Sequence, residues 1–409
     1  MAEPTAEAPE VSVVLPCLDE AETVAACVRK ALEGLAACGA SGEVIVADNG
    51  SRDGSVELAR SAGARVVHAS ERGYGSALLA GIAAARGRYV VMGDADDSYD
   101  FREIPRFVAL LREGYDLVQG CRLPAGGGRI AEGAMPELHR WVGNPLFSAL
   151  ARRWFRAPLR DVNCGLRGFS RDFQARLRQR CTGMEFANEM VVKASLAGAR
   201  IGEVPITLHR DGRTRHPPHL RTWRDGWRTL RFYLLLSPRW LFLWPGIVLM
   251  ALGLLAYGLG YLRMSLGSVT LDVSTMLFGS LFVATGFQLV LFAVFTKVFA
   301  INEDLLPADP RLTTAFGWVN LERGLLAGSL VAGLGVVLLV RAILGWRAAG
   351  FGPLDPGESL RLVIPGSLLT LLGVQVVVAS FFLSILGMQK RVAGSPVVVS
   401  PEGLGRAHE

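Results

Sequence analysis

Charge is missing from four long stretches of this 409-residue chain: no Asp, Glu, Lys or Arg stands between Arg239 and Arg263, Asp272 and Lys297, Arg323 and Arg341, or Arg361 and Lys390. Three gaps exceed the roughly twenty residues a helix needs to cross a bilayer, and the Arg323 gap comes close with its flanks. With 51% apolar residues and a mean hydropathy of +0.33, an ordinary soluble enzyme is excluded. Ionisable side chains are absent from the middle of every span, which argues against a pump or ion-coupled carrier. Gln288 and Gln375 are the strongly polar groups there. No internal repeat is evident, which argues against a transporter built from inverted halves. Cysteine is scarce too. Cys17, Cys27, Cys38, Cys121, Cys164 and Cys181 all precede Arg239, without CxxC spacing or a histidine to complete a zinc site. They read as reduced thiols facing a reducing cytoplasm. Residues 1–10 are acidic, without an apolar core, and are expected to be disordered rather than a cleaved signal.

What is present before Arg239 is a mixed sequence in which short apolar runs alternate with helical segments. Val11 to Pro16 reads as a strand, followed by Asp19-Glu20-Ala21-Glu22, the acidic first turn of a helix to about Cys38. Glu43 to Ala47 is a second strand, with a turn from Asp48 to Ser55 and a helix from Val56. Ala64 to Ala69, Tyr89 to Gly93 and Asp116 to Gly120 add three strands, Ser76 to Arg86 a helix, and Arg200 to His209 a last strand-like run. Such alternation predicts an α/β fold, a mostly parallel sheet with helices on both faces.

Two strand ends carry acidic loops. In Gly93-Asp94-Ala95-Asp96-Asp97-Ser98, three carboxylates crowd into four positions and repel one another unless a cation sits between them. The pattern predicts Mg²⁺ or Mn²⁺, held by one or two carboxylates and completed by phosphate oxygens. In open α/β sheets ligands collect at this end of the strands. Asp48 either accepts hydrogen bonds from a base and ribose or forms the turn before Asn49-Gly50. Asp53, before Gly54, suits the turn itself. A nucleotide diphosphate bound through a metal fits both loops. Gly73-Tyr74-Gly75 lacks the third glycine of a dinucleotide fingerprint, Leu78 standing near its place, so a dehydrogenase is set aside.

Val13-Val14-Leu15-Pro16-Cys17-Leu18-Asp19-Glu20, Val46-Ala47-Asp48-Asn49-Gly50-Ser51-Arg52-Asp53-Gly54 and Gly93-Asp94-Ala95-Asp96-Asp97, in that order, resemble the three signatures of family 2 glycosyltransferases with the GT-A fold. The likeness runs from about Val11 to Tyr233 and is nearest the dolichyl-phosphate mannose synthase and polyprenyl-phosphate glycosyltransferase branch. Asp19 stands where the family usually has Asn, and Asn49 where it often has a second Asp, which leaves the nucleotide base open. The resemblance implies that Pro16, Glu20 and Asp48 line the nucleotide pocket, that Asp94 and Asp96 bind metal and diphosphate with Ser98 close by, and that Arg122 contributes to cofactor binding. Asp161-Val162-Asn163-Cys164-Gly165-Leu166-Arg167-Gly168-Phe169 resembles the acceptor-side motif, with Cys164 for Ser and Leu166 for Phe. Arg167 would hold an acceptor phosphate by a charge-assisted fork. Glu185-Phe186-Ala187-Asn188-Glu189 matches the acidic stretch that supplies a catalytic base in many relatives. A phosphate dianion needs no strong base, so Glu185 either acts as one or caps the helix through Ala197. A hydroxyl acceptor would call on Glu185 or Asp97. The Gln-x-x-Arg-Trp motif of processive polysaccharide synthases is not found.

Leu138 to Phe155 interleaves aromatics with Arg140, Arg152 and Arg153, which suits either a helix in the membrane interface or ordinary core packing. From Arg210 to Arg239 there are eight arginines against Asp211 and Asp225, with Trp223, Trp227, Phe232 and Tyr233 among them. Standing just before a span, this stripe favours anionic lipid headgroups and a lipid phosphate over nucleic acid. Arg213 and Arg215 fall where the resembled family has juxtamembrane phosphate contacts. The same arginines set the catalytic side, and both termini, as cytoplasmic. Gly246, Gly253 and Gly258 suggest close helix contacts, within one chain or between copies forming a homo-oligomer.

The expected organisation is a GT-A domain at 11–210, a basic amphipathic juxtamembrane segment at 211–239, four membrane spans within 240–390 and a tail at 391–409. The expected function is a cell-envelope inverting glycosyltransferase. It would move one sugar from a nucleotide diphosphate sugar, of GDP-mannose or UDP-glucose type, to a polyprenyl or dolichyl phosphate. The rivals are transfer to another lipid hydroxyl or a polysaccharide, and a non-catalytic lipid translocase or scaffold.

Overall fold

The computed structural model describes residues 8–214, 221–303, 305–310, 312, 314 and 320–387. The expectations for Arg215, the 391–409 tail and most of the first ten residues lie outside them. The chain divides into two compact units, 1–241 with 304–307, and 242–303 with 308–409.

The first unit is built on a seven-stranded sheet of order β3-β2-β1-β4-β7-β5-β8. Its strands are β1 (Val11–Cys17), β2 (Gly42–Asp48), β3 (Arg65–His68), β4 (Tyr89–Met92), β5 (Leu117–Cys121), β7 (Arg167–Ser170) and β8 (Ile201–Pro205). Short β6 (Arg129–Ile130) and β9 (Thr207–Leu208) pair with each other. β1 is an unbroken apolar run except at Ser12, flanked in parallel by β2 and β4. Such runs mark strands covered on both faces. One face carries α1 (Val24–Ala37) and α4 (Ile104–Arg112), and the other α3 (Tyr74–Ala84), α5 (Asn144–Phe155) and α7 (Phe186–Leu196). Between them in sequence lie α2 (Ser55–Ser61) and α6 (Arg171–Leu177), and α8 (Thr222–Leu235) follows.

The chain order reverses at β1, with β2 on one side and β4 on the other. The switch point therefore opens a crevice at the strand ends that carry Glu20 and Asp94. Within the seven-stranded sheet, one strand is not anticipated by the sequence pattern. Arg167–Ser170 runs antiparallel between β4 and β5, pairing Met92 with Arg167 and Gln119 with Arg167. The acceptor-like motif thus ends inside the sheet instead of on an open loop.

The second unit contains α9 (Trp244–Tyr261), α10 (Val273–Asn302), α11 (Leu321–Ala348) and α12 (Pro356–Gly387), with a small hairpin, β10 (Ser265–Leu266) and β11 (Val269–Thr270), after α9. Among the described residues, four helices are long and apolar enough to cross a membrane, the first counted from Arg239. A Cβ on Gly246 would lie 2.7 Å from the Gly286 carbonyl, and one on Gly253 2.7 Å from that of Gly279. Gly328 faces Gly373 at 2.8 Å and Gly335 faces Gly366 at 2.6 Å in the same sense. Small residues let helix backbones touch where lipid offers no hydrophobic drive. Gly246 and Gly253 therefore make contacts within the chain, whereas Gly258 has nothing within 4 Å.

Candidate active site

After β4 the chain turns at Gly93, where a Cβ would meet the Phe101 ring at 2.8 Å. Asp94 follows, and its Oδ1 accepts a 2.8 Å hydrogen bond from the Tyr74 hydroxyl. Burial, then the neighbouring charge of Asp96, push its carboxyl up to about 6 against the pull of Tyr74, Arg213 and Arg122. Two carboxylates in this relation resist shedding both protons. Asp96 is aimed by Ser98, whose backbone N–H (3.0 Å) and hydroxyl (2.6 Å) both donate to Oδ1. Its Oδ2 lies 3.3 Å from the Arg213 guanidinium. Ser98, expected at the metal, donates its hydroxyl hydrogen bond to Asp96 and so touches the pair through it.

Asp97 turns elsewhere. Its backbone is left-handed (φ 63°), and its carboxylate pairs with Lys30 Nζ of α1 at 2.7 Å. Asp97, expected to serve catalysis, thus has its charge matched by α1 in this structure.

A strap at residues 207–214 crosses the acidic loop. His209 N–H donates to the Ser98 carbonyl and Gly212 N–H to that of Asp96, each at 2.9 Å. Arg213 forks onto Glu20, Nη2 to Oε1 at 2.7 Å and Nε to Oε2 at 2.9 Å. Burial opposes its charge, but Glu20 and Asp96 outweigh burial and hold the guanidinium above its ordinary value. The loops after β1 and β2 are laced as well. Asp19 N–H donates to Ser51 Oγ (3.0 Å), Glu20 N–H to Ser55 Oγ (2.8 Å) and Ala21 N–H to Asp53 (2.9 Å). Asp53 thus ties a turn, as its Asp-Gly context predicts.

Asp48 is buried and accepts from Gly50 N–H, Ser51 N–H and His68 Nδ1, each at 3.1 Å. Burial raises its carboxyl, yet these bonds bring it below the usual range. Turn-forming is therefore one of its roles. Pro16 sits opposite Ala47 in the β1–β2 register, one residue before the Cys17–Asp48 pair.

Two arginines expected at substrate are held by protein. Arg122 forks onto the fully buried Asp161, Nε to Oδ2 at 2.8 Å and Nη2 to Oδ1 at 2.9 Å. Arg167 is wholly buried, donating to the carbonyls of Ala187 and Cys164 at 2.7 Å each. As part of β7 it lies inside the sheet, and burial lowers its pKa. Arg167, expected at an acceptor phosphate, here ties the 161–166 loop to the start of α7.

Glu185 stands just before α7 without capping it by a side-chain bond. One of its carboxylate oxygens is buried with no hydrogen-bond partner among the described residues. Glu189, a turn later, accepts from Arg180 N–H, Cys181 N–H and Lys193, fastening the loop beside it. That loop seats on α3: a Cβ at Gly73 would fall 2.2 Å from the Thr182 carbonyl, and one at Gly75 2.5 Å from that of Cys181. Gly73-Tyr74-Gly75 is thus a close-packing seat that delivers Tyr74 to Asp94. Sequence reasoning missed Tyr74, although it lay in a motif singled out for its glycines. It missed Tyr99 too, whose hydroxyl receives the Gly165 N–H at 2.9 Å.

All six cysteines are free. No group of three or more His, Cys, Asp or Glu side chains placed to hold a metal occurs among the described residues. Two carboxylates fit Mg²⁺ or Mn²⁺ nonetheless, because these ions keep waters and take substrate phosphates as further ligands. The strained Asp94–Asp96 pair is the donor set such a cation would relieve.

Comparison with known proteins agrees with this architecture. Residues 12–177 match the model of glycosyl transferase family 2, and residues 294–387 that of the glycosyltransferase family 2 C-terminal transmembrane region. The chain is 36% identical over 383 residues to the low-salt glycan biosynthesis hexosyltransferase Agl6 of Haloferax volcanii, covering 93% of this chain and 90% of that one. It is 36% identical to a dolichyl-phosphate hexose transferase of the same organism, over 43% of this chain and 74% of the relative. Among solved structures it overlaps glucosyl-3-phosphoglycerate synthase of Mycobacterium tuberculosis, determined with Mn²⁺, UDP and phosphoglyceric acid. That overlap has a TM-score of 0.43 at 23% identity, over 55% of this chain and 78% of that one. The protein is a glycosyltransferase, with a GT-A-like catalytic sheet and a membrane region of apolar helices. Within that class, the chain belongs to family 2.

Proposed function

We propose that this enzyme transfers one sugar, with inversion, from a nucleotide diphosphate sugar to the phosphate of a polyprenyl or dolichyl lipid at the cytoplasmic face of a membrane. The carrying observation is the Asp94–Asp96 pair at the sheet's switch point, strapped by Arg213 and Glu20, on a chain that runs directly into an apolar helix. The Agl6-like and dolichyl-phosphate hexose transferase relatives support the same reading.

Pro16, Glu20 and Asp48 line the nucleotide side, and Arg213, with Arg215 beyond it, meets the phosphates. Mg²⁺ or Mn²⁺ on Asp94 and Asp96 would neutralise the departing diphosphate. Tyr74 and Ser98 hold those carboxylates in place, and Arg122 and Arg167 brace the loops behind them. Catalysis here is positioning of an acceptor oxygen in line with the anomeric carbon. Functionally, residues 11–210 act as the transfer domain, 211–239 as the juxtamembrane contact and 240–390 as the membrane anchor, with both termini cytoplasmic by the arginine bias.

The bilayer surface is reached through two helices of the first unit. Trp141, Trp223 and Trp227 are 64%, 84% and 59% exposed, while His139 hydrogen-bonds Thr222 at 3.0 Å and joins the two helix starts. At the other end of α5, Trp154 stacks on Trp240 at 5.9 Å, with Arg153 over the same ring at 4.6 Å. Aromatic and basic groups at the head of a span suit headgroup depth.

The test is to incubate membranes carrying the protein with labelled nucleotide sugars. Label is expected in an organic-extractable, acid-labile product, and is expected to vanish with chelator and in Asp96→Ala. Transfer indifferent to both would overturn the reading. A second reading, transfer to a lipid hydroxyl, is favoured by the partnerless oxygen of Glu185. Collapse of turnover in Glu185→Gln selects the hydroxyl, and near-normal turnover the phosphate.

A further inference from the structure

We propose that the membrane unit is one helical hairpin used twice, its two copies pairing about a pseudo-twofold axis that passes through Gln288–Gln375 and Phe295–Phe382. Sequence similarity alone hides this, because the two loops differ in length. In the first helices of the hairpins, Gly246 and Gly253 correspond to Gly328 and Gly335, 82 residues on. In the second helices, Gly279-Ser280-Leu281 and Gly286-x-Gln288 correspond to Gly366-Ser367-Leu368 and Gly373-x-Gln375, 87 residues on. The glycine contacts follow the same correspondence. Gly246 meets Gly286 as Gly328 meets Gly373, and Gly253 meets Gly279 as Gly335 meets Gly366.

The decisive observation lies between the hairpins. Gln375 Nε2 donates to Gln288 Oε1 at 2.9 Å, and the rings of Phe295 and Phe382 meet edge to face at 4.8 Å and 71°. Each pair joins a residue to its own counterpart. Self-matching contacts of this kind are what a twofold interface requires, since elsewhere residue i meets j and j meets i. Both hairpins begin on the same side of the four-span unit, so the axis runs along the membrane normal, the relation of parallel repeats. The amides are the strongly polar groups in the spans. In hydrocarbon a carboxamide finds no water, so a mispaired register leaves it without a partner. Gln288 and Gln375 thereby fix which faces of α10 and α12 meet.

The test uses the full chain in detergent or nanodiscs. Paired cysteines are placed as Gln288→Cys with Gln375→Cys, as Phe295→Cys with Phe382→Cys, and as Gln288→Cys with Phe382→Cys for a shifted register. Oxidative cross-links are mapped by peptide mass spectrometry. Both like-to-like pairs are expected to close and the shifted pair to stay open. A closed shifted pair, or open like-to-like pairs in folded protein, would overturn the axis. Gln288→Leu and Gln375→Leu are each expected to lower Tm by roughly 2–4 °C, and the double variant by less than the two together. Strictly additive losses would remove the clamp from the proposal. Writing the sequence of 366–375 into positions 279–288 is expected to preserve folding and transfer, and failure of that chimera to reach the membrane folded would count against equivalence.

Discussion

The catalytic unit and the membrane unit solve the same problem, holding distant segments together, with opposite materials. In the first, charged and hydroxyl side chains cross from loop to loop: Arg213 reaches Glu20 across 193 residues, and Glu20 N–H reaches Ser55. In the second, side chains withdraw and backbones touch, as at Gly253 and Gly279. Water explains the contrast. Where it competes, a fork or a cap selects one geometry among many, and where it is absent, contact area between small residues does so. A site that must release and rebind substrates can be made from the first material; an anchor is better made from the second.

The sharpest break of this comparison is at the carboxylates. Asp96→Ala is expected to lower transfer by about a thousandfold while leaving the thermal transition nearly unmoved, because the repulsion with Asp94 goes with it. Steady-state transfer beside a melting curve measures both. Equal losses of activity and stability would place Asp96 in the scaffold.

Next in size is a glycine. Gly253→Val puts branched carbon against the Gly279 carbonyl, and overpacking of that kind costs about 1–3 kcal/mol. Reduced yield of folded protein and a lower Tm are expected, with turnover per folded molecule kept. Gly335→Val should match it, since Gly335 meets Gly366 as Gly253 meets Gly279. A clear difference between the two would separate the hairpins.

Arg167 tests the boundary between site and support. Arg167→Met removes the guanidinium's hydrogen bonds to the Ala187 and Cys164 carbonyls, the latter keeping Gln119 Nε2 at 2.8 Å, a loss of about 2 kcal/mol in stability. The KM for the acceptor is expected to hold while Tm and kcat fall. A selective rise in that KM would place Arg167 at the acceptor.

These cases mark what could be read from the sequence. The β-α alternation up to Asp94 was legible because apolar runs ending in acidic turns have few other foldings, and the four spans because uncharged length is itself the signal. β7 was hidden: Arg167-Gly168-Phe169-Ser170 has neither alternation nor β-branched residues, and nothing in the sequence told that its arginine is buried against the Ala187 and Cys164 carbonyls. The direction of Asp97 was not legible, because a left-handed backbone, not its place in the acidic run, decides where it points. Tyr74 needed the contact between α3 and Thr182, a tertiary fact. The hairpin repeat was obscured by its unequal spacing, and only the helix pairing aligns it.

The smallest effect is expected at the end of the sheet away from the crevice. Glu43, near the start of β2, accepts from Ser12 Oγ (2.8 Å), Arg86 N–H (2.8 Å) and Arg65 Nη2 (2.7 Å). Burial raises its carboxyl, but Arg65 and the other donors outweigh burial and hold it below the ordinary 4.5. A carboxyl depressed on folding contributes stability above its unfolded value and loses it as pH falls through the folded one. The contribution is therefore complete at pH 7, begins to fade near 4.5 and is gone below the folded value. Glu43→Gln is expected to cost about 1 kcal/mol at pH 7, to converge with the parent at acid pH, and to leave transfer untouched. Melting curves at stepped pH measure this, and a change in turnover would mean that the two ends of the sheet are coupled, the one result under which the lacing of the crevice loops could no longer be treated as local.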